Sequence, residues 1–212
     1  GVPTEIVEPR QLHASTEGVS FDGQPVDLVY NRHCDFYLVS DEMAGLRQAY
    51  LARKVCLTPN PHMYGLLADK RRMILWSDPQ QRASWHLSGN DERLLEQTVP
   101  STSLLAALDL QRLWSDRKRL VFKPVDSFGS RGVLIGEKLS RKRFDQLPAE
   151  QTLVQELVPP SMSETADDGP MKTDLRVYAY RNRVLGVTAR LYRGQVTNLR
   201  TPGGGFASVR II

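Results

Sequence analysis

The stretch Leu120–Gly136, LVFKPVDSFGSRGVLIG, decides how this chain is read. Its pattern predicts a strand over Arg119–Lys123, a small-residue loop over Asp126–Gly132 and a second strand over Val133–Ile135. A lysine at the end of a strand, ahead of a flexible loop rich in backbone N–H groups, is a means of holding phosphate. The lysine supplies a point charge, and Gly129 and Gly132 let the backbone approach an anion with no Cβ in the way. An ordinary hairpin with a glycine loop fits the same residues. A Walker A loop does not fit, because no Gly-Lys-Ser/Thr follows the glycines and no helix opens there.

The 212 residues are 41% hydrophobic and 25% charged. That is enough chain to bury a sizeable core, as one large domain or two small ones. The net charge of +4 is mild. It suits a polyanionic small ligand such as a nucleotide. Nucleic acid fits less well, because the basic residues are scattered and not interleaved with aromatic stacking platforms. No apolar run approaches the ~20 residues of a membrane span. No signal-peptide pattern opens the chain, and the cytoplasm is the expected location. Cys34 and Cys56 lack metal-ligand spacing and are read as free core thiols.

Taken in order, Val19–Phe21, the turn Asp22-Gly23 and Val26–Tyr30 predict a hairpin leading into a core strand. Asn31, Arg32 and His33 follow at its carboxyl end, a place suited to ligands in α/β folds. Ser40–Ala52 has a Ser cap, early acids and an apolar stripe, and predicts a helix. Lys54–Thr58 is the strand that closes a β-α-β unit. Tyr64–Trp76 is a second helical pattern and contains Lys70. Ser77–Gln97 predicts helical pieces, and Leu104–Leu113 a helix. After the central stretch come a helix over Ser140–Leu147 and a strand over Thr152–Val158. Ser161–Met171 is Gly/Asp/Ser/Pro-rich and predicts a mobile loop. Thr173–Tyr180 and Val184–Tyr192 form a hairpin around Arg181–Arg183. Gly194–Leu199, the glycines 203–205 and a strand over Phe206–Ile211 complete the chain. The fold class expected is α/β followed by α+β, with a boundary near Thr98 that gives domains 1–98 and 99–212.

The order of these segments resembles the ATP-grasp superfamily. The shared features are a strand ending in Lys-Pro, a glycine loop, the strand Val-Gln-Glu-Leu-Val, and Asp-Leu-Arg-Val on a hairpin whose second strand carries Arg190. Thr-Asn-Leu and a glycine run follow. Within that superfamily the layout is similar to glutathione synthetase and its relatives. The resemblance implies a pre-ATP-grasp α/β domain followed by ATP-grasp subdomains with antiparallel sheets, incomplete in this chain. It implies that Lys70 and Lys123 reach ATP phosphates, with Ser127, Phe128, Gly129, Ser130 and Gly132 as the covering loop. It makes Gln155–Val158 the hinge strand, with Glu156 beside the ribose and Leu157 and Val158 reading adenine through their backbone. Arg176, Arg190 and Asn198 then lie at the reacting phosphate. Alternation places the two arginines on one sheet face and Leu175, Val177 and Val187 on the other.

The implied reaction is ATP-dependent ligation of a small carboxylate to an amine through an acyl phosphate, with ATP and Mg²⁺ as cofactors and no nucleic-acid or membrane partner. The carboxylates that hold Mg²⁺ in that superfamily, usually an Asp and a Glu-x-Asn pair, do not follow Asn198 here. They are expected outside this chain. Two explanations stand: a shortened carboxyl end, or the circularly permuted group that includes glutathionylspermidine synthetase, which the opening at Gly1 and the run Asp22–Arg32 favour. The rival to a ligase is a non-catalytic nucleotide-binding or scaffold piece of a larger ATP-grasp protein.

Overall fold

A computed structural model describes residues 1–165, 168–198 and 200–210. Two of the loop residues expected in Ser161–Met171, Leu199, and the Ile211 end of the last strand therefore lie outside the described residues. The fold is mixed α/β with several antiparallel sheets, and the chain divides into two units, Gly1–Arg72 and Met73–Ile212.

In the first unit β1 (His13–Ser15), β2 (Gly18–Phe21) and β3 (Gln24–Pro25) form an antiparallel meander. Asp22 and Gly23 turn β2 into β3 with φ of 46° and 74°. Two successive positive φ values are what an Asp-Gly hairpin turn requires. The strand expected over Val26–Tyr30 is shorter. Val26 still bonds to β2, through its N–H to the Val19 carbonyl, and β4 (Leu28–Tyr30) starts afresh. A 3₁₀ turn at Asp41–Met43 leads into α1 (Ala44–Leu51), and β5 (Cys56–Thr58) pairs in parallel with β4. This completes the β-α-β unit. Val29 and Leu57 point to the side where Leu38, Met43, Leu46 and Ala49 form the core. Their neighbours Leu28, Tyr30, Cys56 and Thr58 are exposed. Cys34 and Cys56 are free but exposed, not core thiols, because the odd face of this two-stranded sheet carries the packing and Cys56 lies on the even one.

The helix predicted over Tyr64–Trp76 is broken. α2 (Pro61–Met63) is capped by the Asn60 side chain and runs into one π turn, Tyr64–Ala68. Asp69 then turns extended at φ −62° and ψ 124°, and α3 (Arg72–Ser77) begins three residues on.

The second unit opens with α4 (Pro79–Ala83) and α5 (Gly89–Thr98), capped by Asp78 and Ser88. Val99–Thr102 reads as an extended entry to a helix over Leu104–Leu113, and β6 (Thr102–Leu104) carries the extended backbone on through Leu104. Helix resumes as α6 (Leu110–Asp116), with Asp109 as its cap. β7 (Leu120–Pro124) and β8 (Leu134–Ile135) are the two strands of the opening stretch, paired antiparallel. α7 (Arg141–Asp145) is capped by Ser140. β9 (Thr152–Glu156) inserts between β6 and β7, so the sheet order is β6-β9-β7-β8. Phe122, Val154, Leu105, Leu113, Leu139 and Phe144 form the core on one face of this sheet. Phe122, 1% exposed, meets the Phe144 ring edge-on at 5.8 Å. Truncating such a ring to Ala typically costs about 3–5 kcal/mol.

The remaining sheet, β10-β11-β12-β13, comprises β10 (Ser161–Ser163), β11 (Met171–Tyr180), β12 (Arg183–Tyr192) and β13 (Gly205–Ser208). β10 lies at the start of the stretch read as a loop. Ser77 fastens α3 to this unit: its hydroxyl accepts from the Thr102 N–H at 3.1 Å. The two compact units divide at Arg72–Met73.

Candidate functional site

The site builds from β7 and β9. Val121 and Lys123 on β7, Leu153 and Gln155 on β9, and Thr102 on β6 share the face opposite the Phe122 core, by register. Lys123 donates from Nζ to the Gln155 Oε1. Gln155 Nε2 donates to Thr102 Oγ1 at 2.8 Å, and that hydroxyl donates to the Pro100 carbonyl at 2.9 Å. Gln155 and Thr102 are buried. Gln155 thus grips Lys123 from inside the sheet.

The glycine loop leaves Pro124 as two overlapping turns. The Arg131 N–H bonds the Phe128 carbonyl at 3.1 Å, and the Val133 N–H bonds the Ser130 carbonyl at 3.3 Å. Gly129, Ser130 and Gly132 all have positive φ, at 57°, 64° and 71°. Gly132 is required by its own neighbour: a Cβ there would come within 2.7 Å of the Pro124 ring, whereas one at Gly129 would meet open space. Arg131 lies over the Phe128 ring at 4.8 Å.

On the hairpin β11–β12, Asp174 faces Arg190 and Arg176 faces Thr188, so the two arginines share a face as predicted. The opposite face, with Leu175 and Val177, is largely exposed, not buried. Arg190 Nε donates to Asp174 Oδ1 at 2.5 Å, and Thr197 Oγ1 donates to Asp174 Oδ2 at 2.7 Å. Arg176 lies over the Phe206 ring at 5.6 Å. The Thr197 carbonyl accepts from Ser130 Oγ at 3.4 Å. One side chain of the glycine loop therefore reaches the segment that holds Asp174 and, through it, Arg190. Asn198 spends its amide within that segment. It donates to the carbonyls of Arg193 at 2.7 Å and Val196 at 3.3 Å, and it accepts from the Arg200 N–H at 3.1 Å and the Thr201 hydroxyl at 3.0 Å.

The hinge segment is partly engaged. The Leu157 N–H bonds the Arg119 carbonyl at 2.9 Å and the Glu156 N–H bonds that of Ser101 at 3.0 Å. The Glu156 side chain and Val158 are exposed.

Lys70 belongs to the first unit and sits in a bend, not a helix. Asp69 makes the bend. Its carboxylate accepts from the Arg71 backbone N–H at 2.9 Å, from Arg71 Nε at 2.9 Å and Nη2 at 2.5 Å, and from the Tyr37 hydroxyl at 2.7 Å. The Arg71 hydrogen bonds hold Asp69 well below the usual carboxylate range against the opposing effect of burial. The Tyr64 ring stacks on Phe36 at 4.3 Å and meets Tyr37 edge-on at 5.2 Å. Asn31, Arg32 and His33 have local partners. The Asn31 Oδ1 accepts from the His33 N–H at 2.9 Å, Arg32 lies over Tyr30 at 5.7 Å, and His33 Nε2 meets Glu42 at 3.2 Å.

Thr102, Asp174 and Thr197 were not singled out by their sequence. Asp174 carried a usable signal, since Asp-Leu-Arg puts it on the same face as Arg176. Among the described residues no three His, Cys, Asp or Glu side chains come together to hold a metal ion. None of the described residues is assigned to a metal. Among them, too, no helix is long and apolar enough to cross a membrane.

No family model and no curated protein matches the chain. Among solved structures it is similar to the ATP-grasp ligase PsnB complexed with minimal precursor, at TM-score 0.49 and 16% identity, covering 97% of this chain and 66% of that one. The same ligase complexed with a phosphomimetic variant of minimal precursor, Mg and ADP gives TM-score 0.48 and 14% identity, over 95% of this chain and 70% of that one. The chain thus spans about two thirds of the length of the ligase chains it matches. A likeness at this level carries no residue role across.

Proposed function

We propose that this chain is the nucleotide-binding part of an ATP-dependent carboxylate–amine ligase of the ATP-grasp kind, with the order of segments of the glutathione synthetase-like, circularly permuted group. The observation that carries the reading is a convergence. Lys123 stands at the root of a glycine loop, and that loop bonds through Ser130 to the segment that holds the Asp174–Arg190 pair.

In the reaction proposed, a substrate carboxylate oxygen attacks the γ-phosphorus of ATP. The bond to the β-phosphate oxygen breaks, giving an acyl phosphate and ADP. An amine then attacks the acyl carbon, loses a proton and expels phosphate to leave an amide. Phosphoryl transfer depends mainly on positioning and charge stabilisation. Lys123 offers a cation already oriented by Gln155, and Arg176 and Arg190 offer two more on one sheet face. Arg190 reaches a phosphate by exchanging its carboxylate partner for the ligand, which Asp174 can tolerate because Thr197 still donates to it. The glycine loop, closed over the ligand, keeps water from the acyl phosphate. Magnesium, as the resemblance implies it, would neutralise phosphate charge from carboxylates other than those described.

A second reading is a nucleotide-binding piece that does no chemistry by itself. The Arg190–Asp174 ion pair and the inward use of Asn198 favour it, since both residues are engaged within the protein. Titration of the full-length protein with ADP tests the shared part. Lys123→Ala is expected to weaken affinity at least tenfold, about the 1.4 kcal/mol of a modest charged contact. Unchanged affinity would remove Lys123 from the site. ADP release from ATP in the presence of amino acids, polyamines and small peptides separates the two readings, and release at background level selects the second.

A further inference from the structure

We propose that Thr102 is a positioning residue: its hydroxyl decides which end of the Gln155 amide faces Lys123, and so where the Lys123 ammonium is held. The inference rests on the nucleotide reading of Lys123 given above. Thr102 and Gln155 are direct partners across β6 and β9, and both are buried. A threonine hydroxyl has one hydrogen to donate. Here it goes to the Pro100 carbonyl at 2.9 Å. Towards Gln155 the hydroxyl oxygen can then only accept, so the amide must turn its NH₂ to Thr102, as it does at 2.8 Å. The amide oxygen is left facing Lys123, which donates to it. A flipped amide would set its NH₂ against the ammonium, donor to donor. It would also set its oxygen against a hydroxyl whose hydrogen is already committed. The direction of one hydrogen bond is thereby passed through two side chains to the lysine.

The origin of this relay is fixed in place. The Thr102 N–H donates to Ser77 Oγ at 3.1 Å, and that hydroxyl donates to the Ile74 carbonyl at 3.2 Å. Lysine has a flexible four-carbon stem. Holding its head before the ligand arrives removes part of the ordering cost of binding. Among the described residues the Thr102 hydroxyl bonds only to Pro100 and Gln155, so the role proposed for it is orientation of Lys123.

Calorimetric titration of the full-length protein with ADP tests the relay. Thr102→Val keeps the shape and removes the hydroxyl, leaving the buried Gln155 NH₂ against a methyl group. It is expected to weaken ADP binding about tenfold. Thr102→Ser restores the hydroxyl and is expected to bind within about twofold of wild type. Gln155→Met is expected to lose about as much as Thr102→Val, and the double variant no more than the worse single one, because both cut the same chain. Wild-type affinity in Thr102→Val, or additive losses in the double variant, overturns the proposal. Should Thr102→Val not fold, unchanged affinity in Gln155→Met overturns it equally. Lys123→Ala separates the levels. If that variant binds normally, the nucleotide reading falls and the relay with it. If it loses affinity while Thr102→Val does not, the relay alone is wrong.

Discussion

Asp69 concentrates more of the first unit's polar bonding than its place beside Lys70 would suggest. The carboxylate is buried and accepts four hydrogen bonds, three from Arg71 and one from Tyr37. Its folded-state pKa is depressed, chiefly by Arg71. The unfolded value is about 3.9. The interaction therefore stabilises fully above that value, and the stabilisation is lost as pH falls from there towards the folded pKa. Asp69→Asn is expected to cost about 2 kcal/mol at neutral pH, the worth of hydrogen bonds to a charged group. The gap to wild type is expected to narrow below about pH 4 as the wild-type carboxylate starts to lose its advantage. Urea unfolding of both proteins at pH 7 and pH 3 measures this, and an equal gap at both would show that charge is not what Asp69 contributes. The same residue explains why Lys70 was misplaced from sequence. The apolar spacing of Tyr64–Trp76 is helical, but an aspartate that bonds the N–H two residues on offers the backbone a competing turn. The Ala-Asp-Lys-Arg text contains that turn and gives no sign of which competitor wins.

At the scale of elements, the long hairpin and the central stretch were legible, and the short strands β6 and β10 were not. β11 and β12 pair without a break from Lys172–Tyr178 to Gly186–Tyr192, so over that span their faces and the shared side of Arg176 and Arg190 can be read directly. β6 and β10 are three residues long, too short for a period, and their pairing with β9 and β11 is a non-local matter. The glycine loop was legible as a loop, but the reason for one of its glycines was not. Gly129 and Gly132 both carry positive φ, and only Gly132 is also crowded by a ring. Gly129→Ala is expected to cost about 1 kcal/mol of conformational strain. Gly132→Ala is expected to cost more and to displace the loop from Pro124, because a pyrrolidine ring fixed on a strand cannot swing away. Thermal unfolding of the two variants distinguishes them, and equal losses would sink the close-approach explanation.

Over the whole molecule, the change from a parallel pair in Gly1–Arg72 to antiparallel sheets beyond it was legible, because β-α-β spacing and hairpin spacing differ. The two compact units divide at Arg72–Met73, and in the second Ser77 bonds the backbone of β6. The nucleotide reading makes a demand on that second unit as a body. A ligand that binds only the folded state stabilises it by about 2.7 kcal/mol when present at a hundred times its dissociation constant. ADP at that level is therefore expected to raise the unfolding midpoint of the unit that holds Lys123. Its effect on Lys123→Ala at the same concentration should be about half as large, since a tenfold weaker complex leaves about 1.4 kcal/mol of that stabilisation. The first unit gives an internal reference, through the Asp69 network and its pH dependence. A midpoint insensitive to ADP, in a protein whose second unit unfolds cooperatively, would mean that the Lys123–Gln155–Thr102 array is a polar brace of the sheet and not a phosphate site.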